Sequence, residues 1–448
     1  MTSDNRAVGA AKLKALRHSR GLSLAECARA LLAQASSIGH PSRAAPTVAG
    51  LQRSVARWES IASPTLPDER HQLLLAHLYA RTPGDEIVLG PGSDFAEFLN
   101  ALTYLGASQA WLTSLRSTVV HAHTSNGGGL IALLPPEISS MLTSALVRPE
   151  WVDERLSAAL QSAVTDIGAQ FDTLPFARLQ LLLAPVVEAS RRLLAAPIPE
   201  PVQSSLRAVA VSAYTLAGRV AFELRDDVAS QALYTEATHE AGLLAVPWRR
   251  ATVHLSHAMA SLHSTAGMSK ALQLADAAVR DANRGRGTAV RPWAHAWQAA
   301  LTARAGDHQI AQNALELAAY DMDSASSGSR SGDDFSPWHL HGFTGVCQLY
   351  AGCADTAHDT LSQALQSMAM PLAEQAILIT SQALARVRLG DPEAGAALLH
   401  HCLEACPAHA RIPTVRLNWA RKELRPWQHE QFVTALDDHL MEAVAPGP

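Results

Sequence analysis

Apolar residues recur at helical spacing along almost the whole chain, and no long stretch alternates in the way a half-buried strand requires. Leu13 and Leu16 share one face, and Gly21 ends that helix. Leu22, Ser23 and Glu26 then mark a second start. Ser23 is placed to cap free amides, Glu26 to close a capping box and Leu22 to staple onto Cys27. In GLQRSVARWES, Leu51, Val55 and Trp58 fall at i, i+4 and i+7, while Gln52, Arg53 and Arg57 lie opposite. Pro64, Pro67 and Asp68 announce a further helix, and the Pro- and Gly-rich stretch Arg81 to Asp94 reads as a linker. Behind Ser93 and Asp94, one stripe holds Phe95, Phe98, Leu99, Leu102 and Leu105, and Trp111, Leu112 and Leu115 begin another. Three further helical segments follow up to about residue 200, the last kinked or broken at Pro185. The expectation is an all-α chain.

From about residue 206 the pattern repeats. A small residue in one helix is followed seven or eight residues later by a Gly or Asp turn, then by small and bulky residues in the next helix. Gly218, Asp226, Ser230, Tyr234 and Ala237 form one copy; Gly345, Gly352, Ala357, Leu361 and Ala364 another. Further copies centre on Ala299 with Gly306 and Asp307, on Ala383 with Gly390 and Asp391, and, more weakly, on Met259 with Gly267. The turns fall near 225, 266, 306, 352 and 390. One helix pair cannot bury its own apolar face, so such pairs must stack. The polar stretch Asp321 to Ser336 reads as a mobile loop inserted in this series.

Composition adds a class and a compartment. A chain of 448 residues, 48% hydrophobic, exceeds one ordinary core and predicts two or three domains. No apolar run reaches membrane-spanning length, and the N-terminus lacks the apolar core of a signal peptide, so a cytoplasmic location with no membrane partner is expected. Five cysteines, an odd number, are expected reduced and mostly buried. Charge is uneven: residues 1–81 hold 11 Lys/Arg against 5 Asp/Glu, a net of +6, leaving −11 for the rest of a chain whose total is −5. A basic head on an acidic body suits phosphate contact by the head alone.

Two resemblances carry function. The segments LRHSRGLSLAE and SVARWES, within residues 10–81, resemble the Cro/repressor-type (Xre) helix-turn-helix family. That resemblance implies double-stranded DNA as partner, with Gln52, Arg53 and Arg57 at base-reading positions, Ser54 at a phosphate or base position, and Glu59 structural. Gln and Arg are the side chains that pair bidentately with adenine and guanine edges. The chain departs from the family pattern in three places: about fourteen extra residues at Gln34 to Thr47, Ile61 in place of a Gly, and Leu24 where a Gln is common. The repeating part is similar to the tetratricopeptide repeat, though its 38–46-residue period exceeds the usual 34. By that resemblance the first helix of each pair lines a groove, presenting Arg219, Phe222, His257, His263, Trp293, Trp297, Arg304, His339, Phe343, Tyr350 and Arg388. Singly, Trp293, Trp297 and Phe343 also read as ordinary helix-packing residues.

No nucleophile elbow, carboxylate pair or zinc spacing stands out, so neither catalysis nor a cofactor or metal is expected. The three glycines of HTSNGGGL lack the strand-before-helix setting of a phosphate cradle. The expected organisation is a helix-turn-helix domain at 1–81, a helical connector with a possible dimer interface at 82–205, and a repeat domain at 206–448. Together these features describe a homodimeric transcriptional regulator whose repeats sense a peptide or small molecule or dock a protein partner. The alternative is a repeat scaffold whose degenerate head no longer reads DNA.

Overall fold

The computed structural model describes residues 3–37, 47–82, 84, 86–124, 130–171, 173–174, 176–284, 289–325, 335–367, 370, 372–404 and 414–444. Among these the chain is all-α, and the one β-type pairing is an isolated bridge between Arg81 and Ile87. The structure divides into two compact units: 1–167 with 177–209, and 168–176 with 210–447.

The first unit opens with α1 (Ser3–Ser19), α2 (Leu24–Ser37), α3 (Val48–Trp58) and α4 (Glu69–Tyr79). Ser23 and Glu26 form the reciprocal cap that their spacing predicts: the Ser23 hydroxyl accepts from the Glu26 amide at 3.2 Å, and the Glu26 carboxylate accepts from the Ser23 amide at 2.8 Å. Leu24 is half-buried against the core, which explains an apolar residue at that position. The extra residues extend α2 to Ser37 and supply Thr47, whose hydroxyl caps α3 by accepting from the Gly50 amide at 3.1 Å; residues 38–46 lie outside the described residues. No left-handed residue follows α3. The helix leaves through Glu59 at φ −92°, ψ 1°, and Ile61 is not among the positive-φ positions, so the absent Gly costs no strain there.

Next come α5 (Asp94–Leu105), α6 (Gln109–Thr124), α7 (Pro136–Val147), α8 (Glu154–Ala169) and α9 (Phe176–Leu194). The stretch expected to separate two domains instead joins two parts of one core. A Cβ at Gly9 of α1 would lie 2.8 Å from the Ala101 carbonyl oxygen of α5, and Arg20 donates to Asp94 at 2.7 Å. Trp111 of α6 donates from its indole to Gln72 of α4 at 2.8 Å. Pro185 does not break α9, which runs through it to Leu194.

The division between units falls within α10 (Glu200–Glu223). The second unit continues with α11 (Asp227–Gly242), α12 (Pro247–Leu262), α13 (Gly267–Arg284), α14 (Val290–Ala305), α15 (His308–Ala325), α16 (Pro337–Tyr350), α17 (Ala354–Leu365), α18 (Leu372–Arg388) and α19 (Pro392–Glu404), then α20 (Thr414–Glu423) and α21 (Gln431–Val444). These are packed helix pairs in a solenoid arrangement. Each expected turn carries a left-handed residue: Arg225 at φ 61°, Gly267 at 73°, Gly306 at 93°, Gly352 at 86° and Gly390 at 84°. At Asp226, Asp307, Cys353 and Asp391 the amide just past that residue reaches back to a carbonyl five residues earlier, at 2.9 to 3.0 Å, closing a Schellman cap. The Asp226 and Asp391 side chains then cap the helix that follows. The small positions permit close approach: a Cβ on Gly345 would sit 2.6 Å from Leu361 Cγ. The Asp321 to Ser336 stretch is not a loop throughout. Its first five residues belong to α15 and Phe335 is buried, while 326–334 lie outside the described residues.

Candidate functional site

Two places among the described residues present chemistry beyond packing. The first is the outer face of α3. Leu51, Val55 and Trp58 are buried at 3%, 3% and 6% exposure, and Trp58 meets the His71 ring at 5.0 Å. This fixes which side of the helix faces out. Arg53, Ala56 and Arg57 are exposed; Gln52 and Ser54 are half-buried. Arg57 donates to the Ser54 hydroxyl at 3.3 Å. Neither Arg53 nor Arg57 meets a carboxylate among the described residues, so both guanidinium groups keep hydrogen-bonding capacity for another molecule. Glu59, by contrast, is buried and points away. Its two oxygens accept from Arg17 Nε and Nη2, both at 2.7 Å, while Arg17 Nη1 donates to the Leu22 carbonyl at 2.6 Å. This pair ties the end of α3 to α1 and to the turn before α2. The Glu59 hydrogen bond raises the Arg17 pKa.

The second place is a cavity of about 760 Å³ in the second unit. All of its lining comes from α10, α12, α14, α16 and α18 or their caps, the first helices of the five pairs. Of the groove residues named from sequence, Arg219, His263, Trp293, Trp297, Arg304, His339 and Phe343 line it. The others do not. Phe222 and His257 are buried, at 2% and 4% exposure; His257 stacks on Tyr234 at 4.8 Å and bonds Gln231 at 2.6 Å. Burial, with Lys270 and His254 nearby, lowers the His257 pKa to about 4. Tyr350 is half-buried with its ring between two guanidinium groups, Arg304 at 4.6 Å and Arg388 at 4.9 Å. Arg388 is exposed and donates to the Leu349 carbonyl, so it serves the α16 end rather than the cavity wall.

The wall is aromatic. Trp293 and Trp297 meet Phe343 edge-on at 6.3 and 5.7 Å, and Trp293 meets His339 at 4.3 Å. His339 Nδ1 accepts from the Ser336 amide at 2.9 Å, which leaves the neutral ring's hydrogen on Nε2. Desolvation holds its pKa down at about 4. Arg304 meets Tyr350 on one side and Trp419 at 5.2 Å on another; no carboxylate among the described residues reaches it, and desolvation lowers its pKa. It is half-buried and lines the cavity. Arg219 stacks over Phe171 at 4.1 Å, and its Nε is buried without a hydrogen-bond partner. Among the described residues Glu374 is the one acid in the lining.

Sequence reading missed Trp248, Met259, Trp338 and Gly342, and the α18 residues Ile377, Leu378 and Ser381. Trp338 and Gly342 are one helical turn apart on α16 and flank His339 and Phe343, a spacing that would have recovered them. The α18 residues carry no such signal, since aliphatic positions read as packing.

Among the described residues no group of three or more His, Cys, Asp or Glu side chains is placed to hold a metal ion. No helix among them is long and apolar enough to cross a membrane. Buried Cys27 and Cys347 have thiol pKa values pushed up by desolvation, to about 11 and about 12; Cys406 lies outside the described residues.

No family model and no curated protein matches the chain. Among solved structures the chain is similar to the crystal structure of BtubC (BKLC) from P. vanneervenii, at 15% identity over 55% of this chain and 90% of that one, with a TM-score of 0.36.

Proposed function

We propose that this chain is a sequence-specific DNA-binding transcriptional regulator, with α2 and α3 as its helix-turn-helix and the second unit as its effector-binding part. The observation that carries the reading is the division of α3 into a docked apolar face and a free cationic one. Arg53 and Arg57 project one turn apart with no acidic partner, at the spacing by which a recognition helix addresses neighbouring bases. Glu59 supports it from behind: as a member of a buried ion pair it fixes how α3 emerges from the core. The basic surplus of residues 1–81 supplies the phosphate term. On this reading the protein works in the cytoplasm as a homodimer on a pseudo-palindromic operator, because one small module buries little DNA surface. The cavity takes a small molecule or peptide that biases the arrangement of the two heads, for which a preference of about 1–3 kcal/mol between states is enough.

The test is selection of bound DNA from a random pool by the full chain, followed by affinities for the selected and an unrelated duplex. Arg53→Ala and Arg57→Ala are expected to cost about 1–3 kcal/mol each on the selected sequence and much less on the unrelated one. Equal losses on both would assign the two residues to phosphate contacts. Failure to select any sequence would favour the scaffold reading.

A further inference from the structure

We infer that the cavity of the second unit binds a small aromatic carboxylic acid, with Arg304 taking the carboxylate and the Trp293, Trp297 and Phe343 wall taking the ring. The assignment deepens the reading of that unit as the effector-binding part and rests on it for its biological role, but not for its chemistry.

Three observations fix the ligand's character. The volume of about 760 Å³ falls within the usual range of small-molecule pockets, about 300–1,000 Å³. The wall offers ring edges and faces, at Trp293, Trp297, Phe343 and Trp338, which favour an aromatic body over an aliphatic one. The charge is unmatched. Arg304 has lost much of its hydration, no carboxylate among the described residues offsets it, and Arg388 adds a second positive charge across the Tyr350 ring. The Tyr350 hydroxyl is also buried without a hydrogen-bond partner. A desolvated guanidinium in this setting is satisfied by an anion, and a carboxylate matches its planar fork.

The same wall argues against a peptide. A bound peptide brings several amide donors and acceptors, each of which needs a partner once buried. Among the described residues no Asn or Gln lines the cavity. Its hydroxyls are already engaged: Thr252 donates to the Trp248 carbonyl at 3.1 Å, Ser381 to the Ile377 carbonyl at 3.2 Å, and Ser256 shares a 2.8 Å bond with the Tyr234 hydroxyl. One anionic group on an apolar ring system asks for a single charged partner, which Arg304 supplies.

The experiment is calorimetric titration of the full chain, without DNA, using 1-naphthoate, its neutral amide 1-naphthamide, and the peptide acid acetyl-Leu-Trp. The wild-type protein is expected to bind 1-naphthoate about tenfold or more tightly than 1-naphthamide. Arg304→Met is expected to bind both alike, with the 1-naphthamide affinity unchanged, and Arg304→Lys to keep part of the preference. Trp297→Ala is expected to weaken both probes together. No binding of either naphthalene probe, equal affinities in the wild type, or a preference that survives Arg304→Met would overturn the inference. Tighter binding of the peptide acid would overturn the choice of a small acid. Because no DNA is present, a charge preference found here stands even if the DNA selection fails, and its absence leaves the DNA reading untouched.

Discussion

Arg17 is buried and Arg304 half-buried, and their surroundings are opposites. Arg17 donates to both oxygens of Glu59 and to a backbone carbonyl, and its pKa is raised. Arg304 has aromatic rings and open space, and its pKa is lowered. The first is a finished structural joint that ties α1 to the end of α3. The second is unfinished chemistry beside a cavity. A buried charge kept without a partner costs stability, so its retention points to a ligand, whereas a fully paired one needs no further explanation.

The comparison breaks first if the joint is not a joint. Glu59→Ala leaves the Arg17 guanidinium buried and uncompensated, an error that usually costs about 3–5 kcal/mol. Arg17→Met is expected to cost nearly as much, because it leaves the carboxylate behind. Equilibrium denaturation of the full chain measures both; losses below about 1 kcal/mol would mean that water reaches the pair. On the proposed regulator reading, DNA binding should fall with folding rather than separately from it.

A second contrast is between charged and neutral burial within the repeats. His257 is almost fully enclosed, and its pKa falls from 6.5 to about 4. In that interval the unfolded chain holds a proton that the folded one does not. Stability is therefore complete above about pH 6.5 and drains as pH falls toward 4, by about 1–3 kcal/mol for a shift of this size. Thermal melting from pH 7 to pH 4.5 should show the decline, and His257→Gln, which keeps a donor for Gln231, should make it shallower, with His339, held down at about 4 as well, supplying part of what remains. An unchanged slope in that variant would place the titrating group elsewhere.

These particulars show what could be read in advance. The capping box at Ser23 and Glu26, the buried stripe on α3 and the five repeat turns were legible because each depends on residues a few positions apart. The Arg17–Glu59 pair was not: its members are 42 residues apart and nothing in either neighbourhood names the other. The aromatic wall was half legible, since the tetratricopeptide resemblance put Trp293, Trp297 and Phe343 in the groove, yet the same resemblance also offered Tyr350 and Arg388, which serve the end of α16. Which of several first-helix residues turn inward depends on how successive pairs stack, and local periodicity does not carry that information.

The five turns supply a smaller test of the same distinction between satisfied and strained groups. Four use Gly in the left-handed region and one uses Arg225, at φ 61°. A side chain there crowds the following carbonyl, at a cost of about 1–2 kcal/mol that Gly avoids. Arg225→Gly is therefore expected to raise stability by up to about 1 kcal/mol, after the extra freedom of Gly in the unfolded chain is subtracted. The denaturation midpoint should rise with an unchanged slope. A fall would show that the hydrogen bond from Arg225 to the His263 carbonyl, at 3.4 Å, outweighs the strain.

The smallest expected effect is the most telling. Arg304→Met removes a cation as Arg17→Met does, with the same replacement side chain. Two ring contacts are lost, each worth about 0.5–2 kcal/mol. Against that loss, the cost of holding an unpaired guanidinium away from water disappears, and Met fills the apolar surroundings without leaving a carboxylate behind. The two contributions oppose each other and are of similar size, so the stability of the ligand-free protein should change by less than about 1 kcal/mol. Denaturation of the Arg17 and Arg304 variants side by side measures the difference. A loss of several kcal/mol from Arg304→Met would make that residue as structural as Arg17. A change near zero, beside a large loss at Arg17, would leave ligand binding as the reason for a charge in that wall.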